Sequence, residues 1–355
     1  MSSDDQALLV VTCAGQAGSD GLRSYRFNAQ QGTLEQVSMT GQGITHPLHV
    51  AADRAGLYLY VADHVQQVND QDGGAVAAFE IDRPSGGLKF INRQSSHGLV
   101  PCYVSVTADG GHALVANYTD GNVAMLPIDA NGALEPASDV KEHGRVDGDQ
   151  ARAHCILPDP SGRFALATDL GVDRIFSYRI DRQAGRLQRN DPPGVATAAG
   201  AGPRHLVFAP DGRMLYAMTE YDNTVIAMAY QPDAGGLAFV QIASALPADY
   251  THKSHGSDIG IHPSGRWLYA ANRGHDSMAI FAIEGQTGRL TLQGHTPTQG
   301  SFPRSFTLDR TGAFLLVGNE KSNAIRIFAV DAQTGQLKPT DAVIDVPAPT
   351  GMAFV

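Results

Sequence analysis

Short runs of alternating apolar and polar residues, broken by turn residues, fill this chain from end to end, and no helical period competes with them. The clearest unit is residues 202–237, GPRHLVFAPDGRMLYAMTEYDNTVIAMAYQPDAGGL. Its three runs are separated by Pro-Asp-Gly, Tyr-Asp-Asn and Pro-Asp-Ala-Gly-Gly, the signature of an antiparallel unit of three or four strands. The unit also holds Arg204 and Glu220, two residues its strands do not need.

Variants of this unit recur along the chain. A Gly-x-Leu or Gly-Leu element closes a turn at Leu34, Leu88, Leu134, Leu187, Leu237, Leu290 and Leu337, at spacings of 46 to 54 residues. Inside each period a turn leads into an apolar strand: DRAGLYLYVAD, TADGGHALVAN, DPSGRFALATD, APDGRMLYAMT, HPSGRWLYAAN and DRTGAFLLVGN. A seventh copy is split, with PAPTGMAFV at the C-terminus reading as its first strand and ALLVVTCAG near the N-terminus as its second. Such a split is useful, because a ring of sheets must be closed or its end blades expose unpaired edges. The pattern therefore predicts an all-β chain, a seven-bladed β-propeller of four antiparallel strands per blade, closed by pairing the N- and C-terminal strands. The repeats occupy residues 1–355 and leave no room for a second domain. A β-sandwich array gives no reason for seven equal periods and a split one.

Composition fits that architecture and narrows the function. Thirty-nine glycines and only 17% charged residues suit many short strands joined by tight turns. A net charge of −10 argues against nucleic acid and against an anionic membrane surface as partners. The N-terminus has no basic region, and its apolar run is too short for a signal peptide or a span, so a cytoplasmic location is expected. Three cysteines, Cys13, Cys102 and Cys155, oppose both a disulfide framework and a zinc site. No metal-ligand spacing and no glycine-rich phosphate loop occur, so the expected site uses no metal and no cofactor. A monomer or weak homo-oligomer is expected.

Candidate chemistry appears when the repeats are aligned on the turn glycine (Gly56, Gly110, Gly162, Gly212, Gly265, Gly312). Eight residues before it stand Leu48, Cys102, His154, Arg204, Ser257 and Arg304, with Thr350 in the split blade. Eight residues after it stand His64, Tyr118, Leu170, Glu220, Arg273 and Glu320, with Cys13 in the split blade. The start of one antiparallel strand and the end of the next lie at the same end of a sheet, so both columns should rim one mouth of the central channel. Taken singly, each residue has a plain structural reading: His154 as a buried histidine, Arg204 with Glu220 and Arg304 with Glu320 as pairs within a blade, Arg273 as a solvated loop residue. Their shared columns favour a site with convergent ionisable groups. The residues Asp63, Asn117, Asp169, Asn272 and Asn319, just before the second column, read as turn caps. Residues 251–258, THKSHGSD, read as a rim loop, and the cysteines as small apolar filler.

The stretches GPRHLVFAPDGRMLYAMTE, SDIGIHPSGRWLYAANRG and FPRSFTLDRTGAFLLVGNEKSN give the whole chain a resemblance to the lactonase family of seven-bladed propellers. That family includes bacterial 6-phosphogluconolactonases and fungal lactonising carboxy-muconate cyclases. The resemblance implies hydrolysis of a sugar lactone, with a muconate-type cycloisomerase and a non-enzymatic binding propeller as the alternatives. It implies catalysis by His154, Glu220, Arg204 and Arg273, with Arg304 at the substrate, a small anionic lactone or carboxylate; the rim columns add Glu320, His64 and Tyr118 as expected substrate contacts. Glu220 or His154 would serve as base, one arginine would stabilise the oxyanion, and the others would hold the anion. Glu320, where glutamine is common in the family, and HGSDI are departures from the family pattern near the pocket.

Overall fold

In the computed structural model, which describes residues 6–14, 21–68, 71–146 and 149–355, seven four-stranded antiparallel sheets form a closed ring. Residues 1–5, which the signal-peptide reading touches, lie outside the described residues. Blade 1 is the split one: Pro349–Phe354 pairs with Gln6–Cys13, which is followed by Leu22–Asn28 and Thr33–Thr40. Blades 2 to 7 then follow in sequence, their innermost strands being Pro47–Ala52, Pro101–Val106, Ala153–Pro158, Pro203–Phe208, His255–Ile261 and Pro303–Leu308. These strands neighbour one another around the axis, and Pro349–Phe354 closes the circle between blades 7 and 2. Two short hairpins, Gln67–Val68 with Gln71–Asp72 and Arg145–Val146 with Asp149–Gln150, stand outside the sheets.

The burial pattern explains why the second strands read as almost unbroken apolar runs. Each sheet is covered on both faces by its neighbours, so strands such as His112–Asn117, Phe164–Asp169 and Trp267–Arg273 are buried at every position. Every interface between neighbouring blades has its own apolar cluster, so the core is a ring of seven. The outermost strands alternate with solvent-facing residues instead, as in Gly236–Ser244.

The glycine marks have a specific job. Gly132, Gly288 and Gly335 close the turn before the outermost strand with φ of +78°, +69° and +71°. Their carbonyls accept Tyr60, Tyr216 and Tyr269 hydroxyls of the preceding blade at 3.2, 2.9 and 2.9 Å. A Cβ at Gly335 would lie 2.5 Å from the Trp267 ring. The turn is therefore both left-handed and pressed against the preceding blade, which only glycine accommodates.

Candidate active site

The first aligned column corresponds to one local feature of the backbone. In each innermost strand the ladder skips a residue, passing from Pro47 to His49, Pro101 to Tyr103, Ala153 to Cys155, Pro203 to His205 and Pro303 to Ser305. The residues skipped are Leu48, Cys102, His154, Arg204 and Arg304. In blade 6 the ladder jumps from Gly256 to Ile259 and leaves both Ser257 and Asp258 unpaired. A β-bulge frees the extra residue from the ladder and re-aims its side chain, here into the channel. Beyond the bulge the ladder resumes through the second column: the N–H groups of His64, Tyr118, Leu170, Glu220 and Glu320 donate to carbonyls of His46, Val100, Arg152, Gly202 and Phe302 at 2.7–3.0 Å. Both columns are thus held at the same end of the ring by backbone bonds.

Three of the predicted residues meet on one atom. Glu220 Oε2 accepts Arg204 Nε at 3.0 Å and forms an ion pair with Arg273 Nη2 at 2.9 Å, across the boundary between blades 5 and 6. Arg204 is 2% exposed and Arg273 is 7% exposed, so this is a buried group rather than a surface pair. Burial of an Arg–Glu–Arg group carries a desolvation cost that packed apolar residues would avoid, so stability alone gives little reason for it. Arg273 also donates to Gly256 O at 2.7 Å and lies over the Phe302 ring at 5.2 Å. Arg204 Nη1 is taken by Ser257 O and by His205 Nε2. No acceptor among the described residues takes Arg204 Nη2, and Glu220 Oε1 accepts no hydrogen bond from them either.

His154, 6% exposed, sits among these cations. Its ring lies 5.2 Å from His205 and 5.8 Å, edge-on, from Tyr118. Its buried Nδ1 has no partner among the described residues, so Nε2 is the nitrogen left to the mouth. Burial first, then the charges of Arg204, Arg304 and Arg273, push its pKa well below 6.5 and keep the imidazole neutral. For Glu220, burial alone would raise the carboxyl, but Arg204 and Arg273 outweigh it and hold it below its ordinary 4.5. The mouth therefore combines a neutral imidazole, an ionised carboxylate and guanidinium groups.

The other predicted residues complete the rim. Arg304 Nη1 pairs with Glu320 Oε2 at 3.3 Å, and both remain partly exposed. The three arginines thus face three carboxylates, Glu220, Glu320 and Asp258, the last lining the same channel as Arg204 and Arg304. Tyr118 walls His154, with the Arg152 guanidinium over its ring at 5.7 Å. His64 stands further out, edge-on to His46 at 5.8 Å, and with Thr45, His46 and Arg93 it lines an open cleft of about 560 Å³. The turn-cap reading of Asp63 and Asn272 fits their bonds: Asp63 accepts Thr45 and His46 N–H, and Asn272 donates to Ala245 O. Cys102 and Cys155 are buried, with thiols pushed up to about 12 by burial, which suits filler rather than a nucleophile. Among the described residues, no three His, Cys, Asp or Glu side chains converge as a metal site, and no helix is long and apolar enough to cross a membrane.

Strict alternation misses a second layer. The residue after each bulge heads another column: His49, Tyr103, Cys155, His205, Asp258 and Ser305. Four of these join below the mouth. His49 stacks on Tyr103 at 4.0 Å, Tyr103 meets His205 at 5.2 Å, and His205 Nδ1 lies 2.8 Å from Asp258 Oδ1. Between His49, His205, Asp258, Arg204 and Arg304 remains a cavity of about 20 Å³, room for about one water. In the rim loop Thr251–Lys253 is exposed as expected, but His255 turns inward beside Glu220 and Arg273, its Nδ1 buried without a partner.

Residues 8–354 match a family model described as "Lactonase, 7-bladed beta-propeller". The chain is 35% identical over 301 residues to a 6-phosphogluconolactonase of Bacillus subtilis, covering 83% of each. It is 34% identical over 305 residues to a 6-phosphogluconolactonase of Formosa agariphila, covering 82% of this chain and 83% of that protein. A solved structure of the periplasmic gluconolactonase of Pseudomonas aeruginosa matches with a TM-score of 0.92 at 30% identity, covering 99% of both chains. Relatives thus include a periplasmic one, and the family does not assign a compartment.

Proposed function

The chain belongs to the seven-bladed β-propeller lactonase family, and on that ground we propose that it hydrolyses a sugar lactone at the channel mouth, with 6-phosphogluconolactone as the substrate. The observation that carries the reading is the shared Glu220 oxygen, which holds two buried guanidiniums beside a neutral imidazole.

The chemistry can be assigned atom by atom. Water attacks the lactone carbonyl while its proton passes to His154 Nε2. The oxyanion that forms is met by guanidinium N–H groups, foremost the untaken Arg204 Nη2. Collapse breaks the ring C–O bond, and the protonated His154 returns its proton to the departing ring oxygen, leaving a hydroxyl and a carboxylic acid that releases its proton to water as the carboxylate. Part of what depresses His154 is the charge of the surrounding arginines. An anionic substrate offsets that charge and raises the basicity of His154 when it is needed. Glu220, engaged on Oε2 by both arginines, serves to fix them. Arg304, the most exposed of the three guanidiniums, suits a distal phosphate, which a guanidinium fork holds well.

A panel assay with a pH indicator tests this. Turnover of 6-phosphogluconolactone should exceed that of glucono-δ-lactone in kcat/KM. Preference for a carboxy-muconate dicarboxylate would instead assign lactonising cycloisomerase chemistry, and no turnover of either class would refute the enzyme reading.

The pH profile is a further expected result. Both depressed groups are in their basic forms at neutral pH, His154 unprotonated and Glu220 ionised. With an uncharged lactone, so that no substrate phosphate titrates, kcat/KM should stay flat between about pH 6 and 8. An acid limb centred near 6.5 would show an ordinary histidine and overturn the assignment.

A further inference from the structure

Below the reacting groups, one hydrogen-bonded chain crosses three blades and has no place in the steps above. Asp258, swung into the channel by the double bulge of blade 6, accepts Phe306 N–H of blade 7 on Oδ2 at 3.0 Å. Its Oδ1 lies 2.8 Å from His205 Nδ1, and His205 Nε2 lies 3.1 Å from Arg204 Nη1. A guanidinium has only donors, so a contact between Arg204 and His205 Nε2 requires a lone pair on that nitrogen. The proton of His205 therefore sits on Nδ1 and points at Asp258.

We propose that His205 and Asp258 are positioning residues for Arg204: Asp258 fixes the tautomer of His205, and His205 holds Nη1 so that Nη2 faces the lactone carbonyl. This rests on the lactonase reading given above. Two edges of the Arg204 guanidinium are then occupied, Nε by Glu220 and Nη1 by His205 with Ser257 O, and the third edge is the one presented. Around His205 stand Tyr103 of blade 3, His49 of blade 2, His154 of blade 4, and the guanidiniums of Arg204 and Arg273. Burial and Arg204 lower its pKa to about 4, so the lone pair is available throughout neutral pH. Asp258 stays ionised, because the bonds from His205 and Phe306 outweigh its burial. The aligned sequence accounts for the arrangement, since Pro-Arg-His in blade 5 and Gly-Ser-Asp in blade 6 put these residues at facing bulges.

The test is a double-mutant cycle on the full chain with 6-phosphogluconolactone. His205→Leu should lower kcat by roughly 10- to 100-fold with a smaller change in KM. His205→Gln, whose amide can donate to Asp258 and accept from Arg204, should recover most of that loss. In an Arg204→Lys background, which lacks the fork, His205→Leu should cost less than about threefold. Full additivity of the two substitutions, or full activity in His205→Leu, would overturn the proposal. Imidazole ¹⁵N spectra of the wild-type protein give a readout independent of turnover: an Nδ1–H tautomer at His205 is expected, and an Nε2–H tautomer refutes the pair even if the leucine variant fails to fold. If the wild-type protein hydrolyses no lactone, the functional reading falls while those spectra still decide the tautomer.

Discussion

Replacing His154 with glutamine is expected to lower kcat for lactone hydrolysis by roughly 10²- to 10⁴-fold, the usual contribution of a positioned general base. The fold should tolerate the change, because the buried Nδ1 of His154 makes no hydrogen bond among the described residues whose loss would strand a partner. Glu220→Gln behaves differently. Removing that charge leaves Arg204 and Arg273 buried side by side without their shared carboxylate. Breaking a buried ion pair in this way costs about 3–5 kcal/mol of stability. Loss of activity in Glu220→Gln therefore does not identify the base, whereas loss in a His154→Gln protein with unchanged urea unfolding does. If His154→Gln keeps kcat within about threefold of wild type, the base is Glu220 acting through its untaken Oε1, and the His154 assignment falls.

The difference between these two substitutions also shows what the sequence made legible. The propeller was readable, because an apolar second strand and a Gly-x-Leu closure recur in every blade, a turn glycine recurs in six, and a split copy explains ring closure. The rim was readable as columns, and Arg204, Glu220, Arg273 and His154 do converge. Alternation could not reveal why: the column that holds His154 and Arg204 is the bulge column, where the period of two fails. For the same reason His205 and Asp258, one residue further on, would be assigned to the faces between blades by a strict pleat. Ion-pair partners were equally hidden. Glu220 is shared by arginines from two blades, and no spacing within one repeat encodes a contact between repeats.

Three imidazoles, those of His154 and His205 buried and that of His49 half-buried, give the molecule a steep dependence on acid. His49, His154 and His205 are all held neutral, His49 at about 3 and His205 at about 4, chiefly because burial disfavours the cation. In the unfolded chain each would titrate near 6.5. The folded values are the lower ones, so the unfolded state binds more protons, and stability falls as pH falls below about 6.5. Between pH 7 and 5, His49 and His205 each cost about 2 kcal/mol, and His154 adds to this in the same direction. That is a large share of the 5–15 kcal/mol typical of folded proteins. His46, His112, His255, His262 and His275 are shifted in the same direction and add to it. Carboxylates held low, such as Glu220 and Asp258, bring a further loss only below their own ordinary range. Urea unfolding at pH 7 and pH 5 should therefore give well-separated midpoints, and equal midpoints would show that these imidazoles are not held neutral. His49→Gln supplies the internal control. Whatever it does to the absolute stability, it removes one titrating site and should flatten the slope of stability against pH by about one proton.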